Sequence, residues 1–172
     1  AFRQPRGEWL REMTRVLAGA SPAFLENQKR AWFTDTLEDV NGVATTIRKM
    51  ATVGAAAGYD ITVVTCRSGT PEPGIPLKNF PPVGEFELPE YELQRLSFPP
   101  LLLIMDYLTR ENYSELIIST PGPVGLSALY AARTLGLRAV GIYHTDFPQY
   151  VRILTDDSFL ETLTWNYMHW FY

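Results

Sequence analysis

The sequence is poor in cysteine and has no long apolar run. Cys66 is the only cysteine among 172 residues, so no disulfide can form within the chain and a reducing compartment is the simpler interpretation. The longest strongly apolar run, 101–105, is far shorter than the roughly 20 residues that span a bilayer. Residues 1–15 lack the uninterrupted apolar segment of a signal peptide. These absences favour a cytoplasmic protein that is at most peripheral to a membrane.

Basic residues and histidines are also scarce. The formal net charge is -4, which argues against nucleic acid as the main partner because binding a phosphate backbone needs a basic face. Two distant histidines and one cysteine give no zinc-ligand spacing. Asp35, Glu38 and Asp39 carry oxygen ligands for a divalent ion, but a solvated acidic loop is the simpler interpretation. We therefore expect neither a metal nor a bound cofactor.

Several nucleotide and hydrolase motifs are missing. There is no Gly-x-Gly-x-x-Gly spacing and no Walker pattern, which speaks against dinucleotide oxidoreductases and P-loop enzymes. A Gly-x-Ser-x-Gly elbow, which would indicate an α/β-hydrolase, is absent as well. If the chain binds a nucleotide, it does so through another kind of loop.

Strand and helix patterns alternate along most of the chain. A buried strand at 31–34 is followed by a helical pattern from Val43 that stops at Gly58, and by a second strand at 61–65. After a Pro- and Gly-rich stretch at 67–100, the pattern resumes. It predicts helices at 101–108 and 124–135, strands at 115–119 and 138–143, and short strands at 84–88 and 93–98 within that stretch. Sustained alternation predicts an α/β fold, a Rossmann-like, doubly wound, mostly parallel sheet.

The two ends of the chain differ from this pattern. Residues 1–29, with an amphipathic helical pattern near the start, are expected to form a helical arm or linker, and residues 30–172 to form the Rossmann-like domain. Ser158 and Glu161 have the spacing of a capping box that opens a last helix. That helix ends in aromatic residues that need a cover. We expect the chain to be a piece of a longer protein whose next domain supplies it.

Three polar loops follow predicted strands: 35–42, 119–125 and 144–146. The carboxyl ends of parallel strands meet at one sheet edge, so we expect these loops to line a common pocket. Asn41 and Gly42 stand where a helix begins and where free amides favour a phosphate. The alternative is a glycine that only shapes a turn, which the bare sequence favours.

The other two loops carry further candidates. Thr120 and Gly122 open a second helix start, which suits a phosphate, a hydroxylated acceptor or a mere packing role. His144 directly follows an apolar strand and precedes polar residues, so we expect it to face the pocket and to contact a sugar or phosphate. His169, within the aromatic last helix, is expected to be structural or to lie at the interface with the next domain.

Two motifs together resemble a known family. The runs Trp32–Thr36 to Asn41–Val43 and Tyr143–Tyr150 are similar to the N-terminal domain of group-1 (family four) retaining glycosyltransferases of the GT-B fold. The likeness is closest to their α-mannosyltransferase-like members and extends from about Arg30 to the end. In that family two Rossmann-like domains face each other across a cleft. The N-terminal domain mainly binds the acceptor, and the C-terminal domain binds the sugar nucleotide.

The resemblance implies a function and roles for individual residues. The complete enzyme would transfer a hexose, mannose or glucose, from a nucleotide-diphosphate sugar to a hydroxyl of a saccharide, lipid or small molecule, with retention and without a metal. Gly42, with Asn41, would lie against the donor diphosphate, and His144 would be the catalytic residue at the transferred sugar. The acceptor-side candidates are Asp35, Thr120, Gly122, Asp146 and Tyr150.

Two other functions stay open at this point. One is a non-catalytic α/β module that binds a nucleotide or a phosphorylated sugar through the same loops. The other is an interaction domain whose aromatic last helix docks a partner. The donor motif of the family belongs to the second domain and has no counterpart in this sequence. The chain by itself is therefore expected to be inactive.

Overall fold

The computed structural model describes residues 29–37, 41–69, 74–88 and 91–172, so all but the last residue of the predicted arm at 1–29 lies outside the described part. Within that part, five parallel strands form one sheet in the order β3-β2-β1-β6-β7. The strands are β1 (Arg30–Phe33), β2 (Ile61–Cys66), β3 (Leu77–Phe80), β6 (Glu115–Ile118) and β7 (Arg138–Gly141). The predicted Rossmann-like parallel sheet is confirmed.

Five helices and one hairpin complete the described part. The helices are α1 (Gly42–Ala56), α2 (Leu101–Arg110), α3 (Pro123–Leu135), α4 (Phe147–Thr155) and α5 (Ser158–Phe171). β4 (Gly84–Leu88) and β5 (Tyr91–Phe98) pair with each other in antiparallel orientation, outside the main sheet. The predicted strands in the Pro- and Gly-rich stretch thus form a hairpin of their own.

The two faces of the sheet are covered by different helices. Successive side chains of a strand point to opposite faces, and in β1 Trp32 packs with the buried residues of α1, whereas Ala31 and Phe33 pack with those of α2, α3 and α5. The result is a sheet between two helical layers. Continuous apolar strands follow from burial on both faces.

Two elements were not predicted, and one helix begins at a different cap. β3 is a short edge strand whose sequence, Leu-Lys-Asn-Phe, is half polar, so it carries little of the apolar signal of a buried strand. α4 contains Pro148 in its first turn, and no helix was predicted there from the sequence. The cap of α5 is Asp157, which accepts hydrogen bonds from the amides of Phe159 and Leu160, and not Ser158 as the capping-box spacing predicted. Aspartate and serine are about equally favourable at a helix N-cap, so the sequence alone does not choose between these neighbours.

The strand order places a crevice at one point of the sheet. The order reverses direction between β1 and β6, because the chain proceeds to one side from β1 through β2 and β3 and then returns to the other side. In open α/β sheets, ligands bind outside the carboxyl ends of the strands at this switch point. The loops that follow β1 and β6 are therefore where a site is expected.

None of the helices in the described ranges is both long and apolar enough to cross a membrane.

Thr65 provides a test of the packing on the α1 side of the sheet. Its side chain is buried, and its hydroxyl has no hydrogen-bond partner among the described residues. A buried hydroxyl without a partner costs free energy that an apolar group of the same shape avoids. We expect Thr65→Val to raise the free energy of unfolding by about 1 kcal/mol, with Tm rising by roughly 2–4 °C. A lower Tm in calorimetry would show that the hydroxyl has a native partner.

Candidate functional site

A cleft of about 750 Å³ lies at the carboxyl edge of the sheet. It brings together residues from the loops after β1, β6 and β7 and from α1 and α4. The described residues that line it are Thr36, Asn41, Gly42, Val43, Thr46, Ser119, Thr120, His144, Thr145, Phe147, Tyr150, Val151, Leu154 and Thr155. Five of the residues selected from the sequence are in this cleft: Asn41, Gly42, Thr120, His144 and Tyr150.

Gly42 is the first residue of α1, and nothing in the described protein explains why it is a glycine. Asn41 caps the helix with its side-chain oxygen, which accepts a hydrogen bond of 2.8 Å from the amide of Ala44. Gly42 does not have a positive φ, and among the described residues no atom lies within 4 Å of a Cβ built on it. The described residues thus give no steric reason for a glycine at this position. Gly42 lies at the amino end of a helix, which favours anions.

His144 is held by a short chain of polar groups that begins in the sheet. The indole nitrogen of Trp32 donates to the buried hydroxyl of Ser119 at 2.5 Å, and the same hydroxyl lies 3.3 Å from Nε2 of His144. Burial lowers the pKa of His144 below its ordinary value. Burial thus favours the neutral form of the imidazole, and its second ring nitrogen, Nδ1, is not used in this pair.

Asp35 has a structural role that the sequence did not reveal. Its carboxylate accepts hydrogen bonds from the hydroxyl of Thr120 at 2.5 Å and from the amides of Val124 and Gly125 at 2.9 Å and 3.3 Å. α3 begins after Gly122, which has no side chain to cap it, so a carboxylate from the loop after β1 takes that place. Burial raises the pKa of Asp35, and these hydrogen bonds oppose the rise.

The glycines beside Asp35 are fixed by packing. A Cβ on Gly122 would lie 2.7–2.8 Å from the Asp35 carboxyl group, and one on Gly125 would lie 1.8 Å from the backbone oxygen of Thr120. The packing role that the sequence left open for this loop is therefore present. Since the amides at the start of α3 already bind Asp35, they are not available to a phosphate in this structure.

Two other acceptor candidates, Asp146 and Tyr150, differ in position. Asp146 is exposed and caps α4, accepting from the amide of Gln149 and from the hydroxyl of Tyr143. It is not among the residues that line the cleft. Tyr150 lines the cleft and is exposed. His169 is exposed on α5 beside Trp165, away from the cleft.

The described part of the cleft lining is neutral in composition. Among the described residues that line it, none is Lys, Arg, Asp or Glu, so its polarity comes from hydroxyls, amides and one neutral imidazole. Within the described ranges, no group of three His, Cys, Asp or Glu side chains is placed to hold a metal ion. A negatively charged ligand would meet the start of α1 as the main positive feature on this side.

The capping role of Asp35 can be tested by comparison with Asp146. Asp35→Ala leaves amides at the start of α3 without their partner in a partly buried place, so we expect a loss of about 2 kcal/mol or more in the free energy of unfolding. Asp146→Ala removes an exposed cap and is expected to cost about 0.5 kcal/mol. Urea denaturation of both variants measures the difference. Equal losses would contradict the special role of Asp35.

Comparison with known proteins gives one family. The sequence model of Glycosyltransferase Family 4 matches residues 40–172. No curated protein sequence matches the chain. Among solved structures, CobK precorrin-6A reductase is similar at a TM-score of 0.36 and 15% identity, over 72% of this chain and 42% of that one. The chain thus spans less than half the length of that protein.

That structural likeness is too distant to carry an argument, and the fold rests on the strand order described above. The family model is different, because it covers well over half of the chain and includes Gly42 and His144. With a parallel α/β sheet and a cleft at its switch point, this chain belongs to glycosyltransferase family 4.

Proposed function

We propose that this chain is the N-terminal, acceptor-side half of a retaining glycosyltransferase that transfers a hexose from a nucleotide-diphosphate sugar to a hydroxyl. The observation that supports this most is the shared cleft: the amino end of α1 at Gly42 and the imidazole of His144 line one cavity of about 750 Å³. The start of α1 suits a diphosphate, and the imidazole of His144 suits a sugar hydroxyl. We propose mannose or glucose as the transferred hexose.

Such a reaction depends on stabilising the departing diphosphate. The free amides and dipole of α1 act where that negative charge develops. Because the described lining holds no Lys or Arg, the rest of the positive charge must come from elsewhere. We place it, with the site for the donor base, in a second domain that faces this cleft, as the family resemblance implies. No metal is needed in this scheme.

His144 suits the transferred sugar because its protonation and orientation are restrained. Burial keeps the imidazole neutral, and the contact with Ser119 restricts its orientation through Nε2. Nδ1 then remains for a hydroxyl of the sugar or an oxygen of the leaving group. The described lining offers no carboxylate as a nucleophile, and the proposal therefore includes a same-face mechanism.

The proposal also includes a reducing, cytoplasmic setting, with which the single cysteine agrees.

The first test uses this chain alone. With only half of the cleft present, we expect no transfer and a Kd weaker than about 1 mM for UDP-glucose and GDP-mannose in calorimetry, that is, less than about 4 kcal/mol of binding. Transfer by the isolated chain would contradict the two-domain scheme. Micromolar binding without transfer would instead support the alternative function, a binding module for nucleotides or phosphorylated sugars.

A further inference from the structure

A second cavity, of about 240 Å³, adjoins the cleft behind the loop at Pro121 and Gly122. It lies between that loop, α4, α5 and β5. The two cavities share four lining residues, Thr36, Thr120, Phe147 and Val151. The second cavity is therefore an immediate neighbour of the cleft, with these four residues at their junction.

Four of the polar side chains that border this cavity, those of Asp35, Thr120, Thr164 and Tyr167, are already paired within the protein. Thr120 donates to Asp35, and Asp35 also binds the amides of α3. The hydroxyl of Tyr167 donates to the backbone oxygen of Pro121, and that of Thr164 donates to the oxygen of Leu160 at 2.7 Å. Since these groups have no need of a ligand, the cavity offers mainly apolar contacts, from residues that include Leu96, Phe147, Val151 and Met168.

The hydroxyl of Thr36 is held less firmly. Among the described residues its partner is the hydroxyl of Thr34 at 3.5 Å, and Thr36 belongs to both cavities. A polar group of a ligand at the junction would therefore find a hydroxyl to bind, while the part beyond it would find apolar walls. The arrangement suits a molecule with one polar and one apolar end.

The volume sets the size of the apolar end. An engineered apolar cavity of roughly 150 Å³ in another protein binds benzene, so about 240 Å³ accommodates a six-membered aromatic ring or a short alkyl chain. A free sugar, whose hydroxyls all need partners, would leave them unpaired against these walls.

We propose that the second cavity binds the apolar part of the acceptor, so that the acceptor is an alcohol or glycoside carrying an aryl or alkyl group. The role of its hydroxyl rests on the proposed transferase function, since that group would stay in the cleft with His144. Binding of the apolar part rests only on the cavity itself. An aryl group and an alkyl group would both make apolar contacts in this cavity, and the experiment distinguishes them with one aromatic and one alkyl probe.

The test is a titration followed by methyl NMR on this chain, with Leu, Val and Met methyl groups labelled. Benzyl alcohol and 1-hexanol are the apolar probes, and glycerol is the polar control. We expect saturable shifts at Leu96, Val151 and Met168 with at least one apolar probe and none with glycerol. The tighter of the two probes identifies the aryl or the alkyl form.

Two threonines of α5 give a matched pair of variants. Thr164 lines the cavity and Thr162 is exposed, and each donates its hydroxyl to the backbone oxygen four residues earlier. Thr164→Phe fills the cavity and is expected to raise the Kd about tenfold or more, whereas Thr162→Phe should leave it within about twofold.

Equal affinity in Thr164→Phe and the unmodified chain would overturn the proposal. So would shifts confined to exposed groups such as Leu102 and Leu103. If Thr164→Phe fails to fold, the location of the shifts in the unmodified chain decides alone. The titration needs neither donor nor turnover, so its failure leaves the transferase function intact, and absence of transfer in the complete enzyme leaves cavity binding intact.

Discussion

His144→Ala is expected to lower kcat by about 10²-fold or more in the enzyme that carries this domain, with a smaller change in KM. That factor corresponds to about 2.7 kcal/mol of lost transition-state stabilisation, which is typical for removal of one well-placed hydrogen-bond donor. The reason is geometric: Ser119 restrains the neutral imidazole beside the cleft that Gly42 also lines. Steady-state kinetics with varied donor concentration separates kcat from KM.

His169→Ala is the matched control. That histidine is exposed on α5 and lies outside the lining of the cleft, so its removal should leave kcat within about twofold and act, if at all, on stability. Circular dichroism checks that both variants are folded. A folded His144→Ala enzyme with near-normal kcat would remove His144 from the mechanism.

The lowered pKa of His144 adds a second measurement on the same variant. Because burial favours the neutral form in the folded protein, the unfolded chain binds more protons near its ordinary pKa of about 6.5. The contribution of His144 to the free energy of unfolding is therefore fully present above about pH 6.5. It is lost as the pH falls below that value. Denaturation curves should show that this part of the pH dependence is absent in His144→Ala.

Much of the fold could be predicted because its signals are local. The apolar run at 31–34, the helical period that ends at Gly58 and the left-handed Gly136 at the end of α3 all depend on residues close in sequence. β3 and α4 were not predicted because their local signals are weak. Half of β3 is polar, and α4 has a proline in its first turn. A short edge strand takes its identity from pairing with β2, which no local pattern shows.

The sequence predicted which loops meet at the candidate site, because their position depends on the strand topology. It did not predict the side-chain contacts, because these join residues that are far apart in the sequence. Parallel strands with polar loops at one edge place Gly42 and His144 near each other. The contact that restrains His144 comes from Ser119, 25 residues away, and the carboxylate that caps α3 is 89 residues from the amide of Val124. Asp35 thus appeared as a candidate for the acceptor, while its visible contacts are with the protein itself.

Gly42→Val is the second change for which a large effect is expected. The side chain would occupy open space at the start of α1, where the proposed diphosphate approaches the helix amides. We expect the KM for the donor to rise about tenfold or more in the complete enzyme. Folding should change little, because valine and glycine differ by only about 0.5 kcal/mol in helix propensity and the site has room.

Gly84→Val makes this experiment specific to the ligand. Gly84 begins β4, is exposed and lacks a positive φ. Like Gly42, it has no atom of the described residues within 4 Å of an added Cβ, but it does not line the cleft. Valine suits a strand, so the control should keep both Tm and donor KM. A rise in donor KM for Gly42→Val alone, at equal Tm, assigns the glycine to the donor. Because no described neighbour requires a glycine at position 42, an unchanged KM in that variant would mean that the diphosphate does not approach α1 and that the donor is held by other groups.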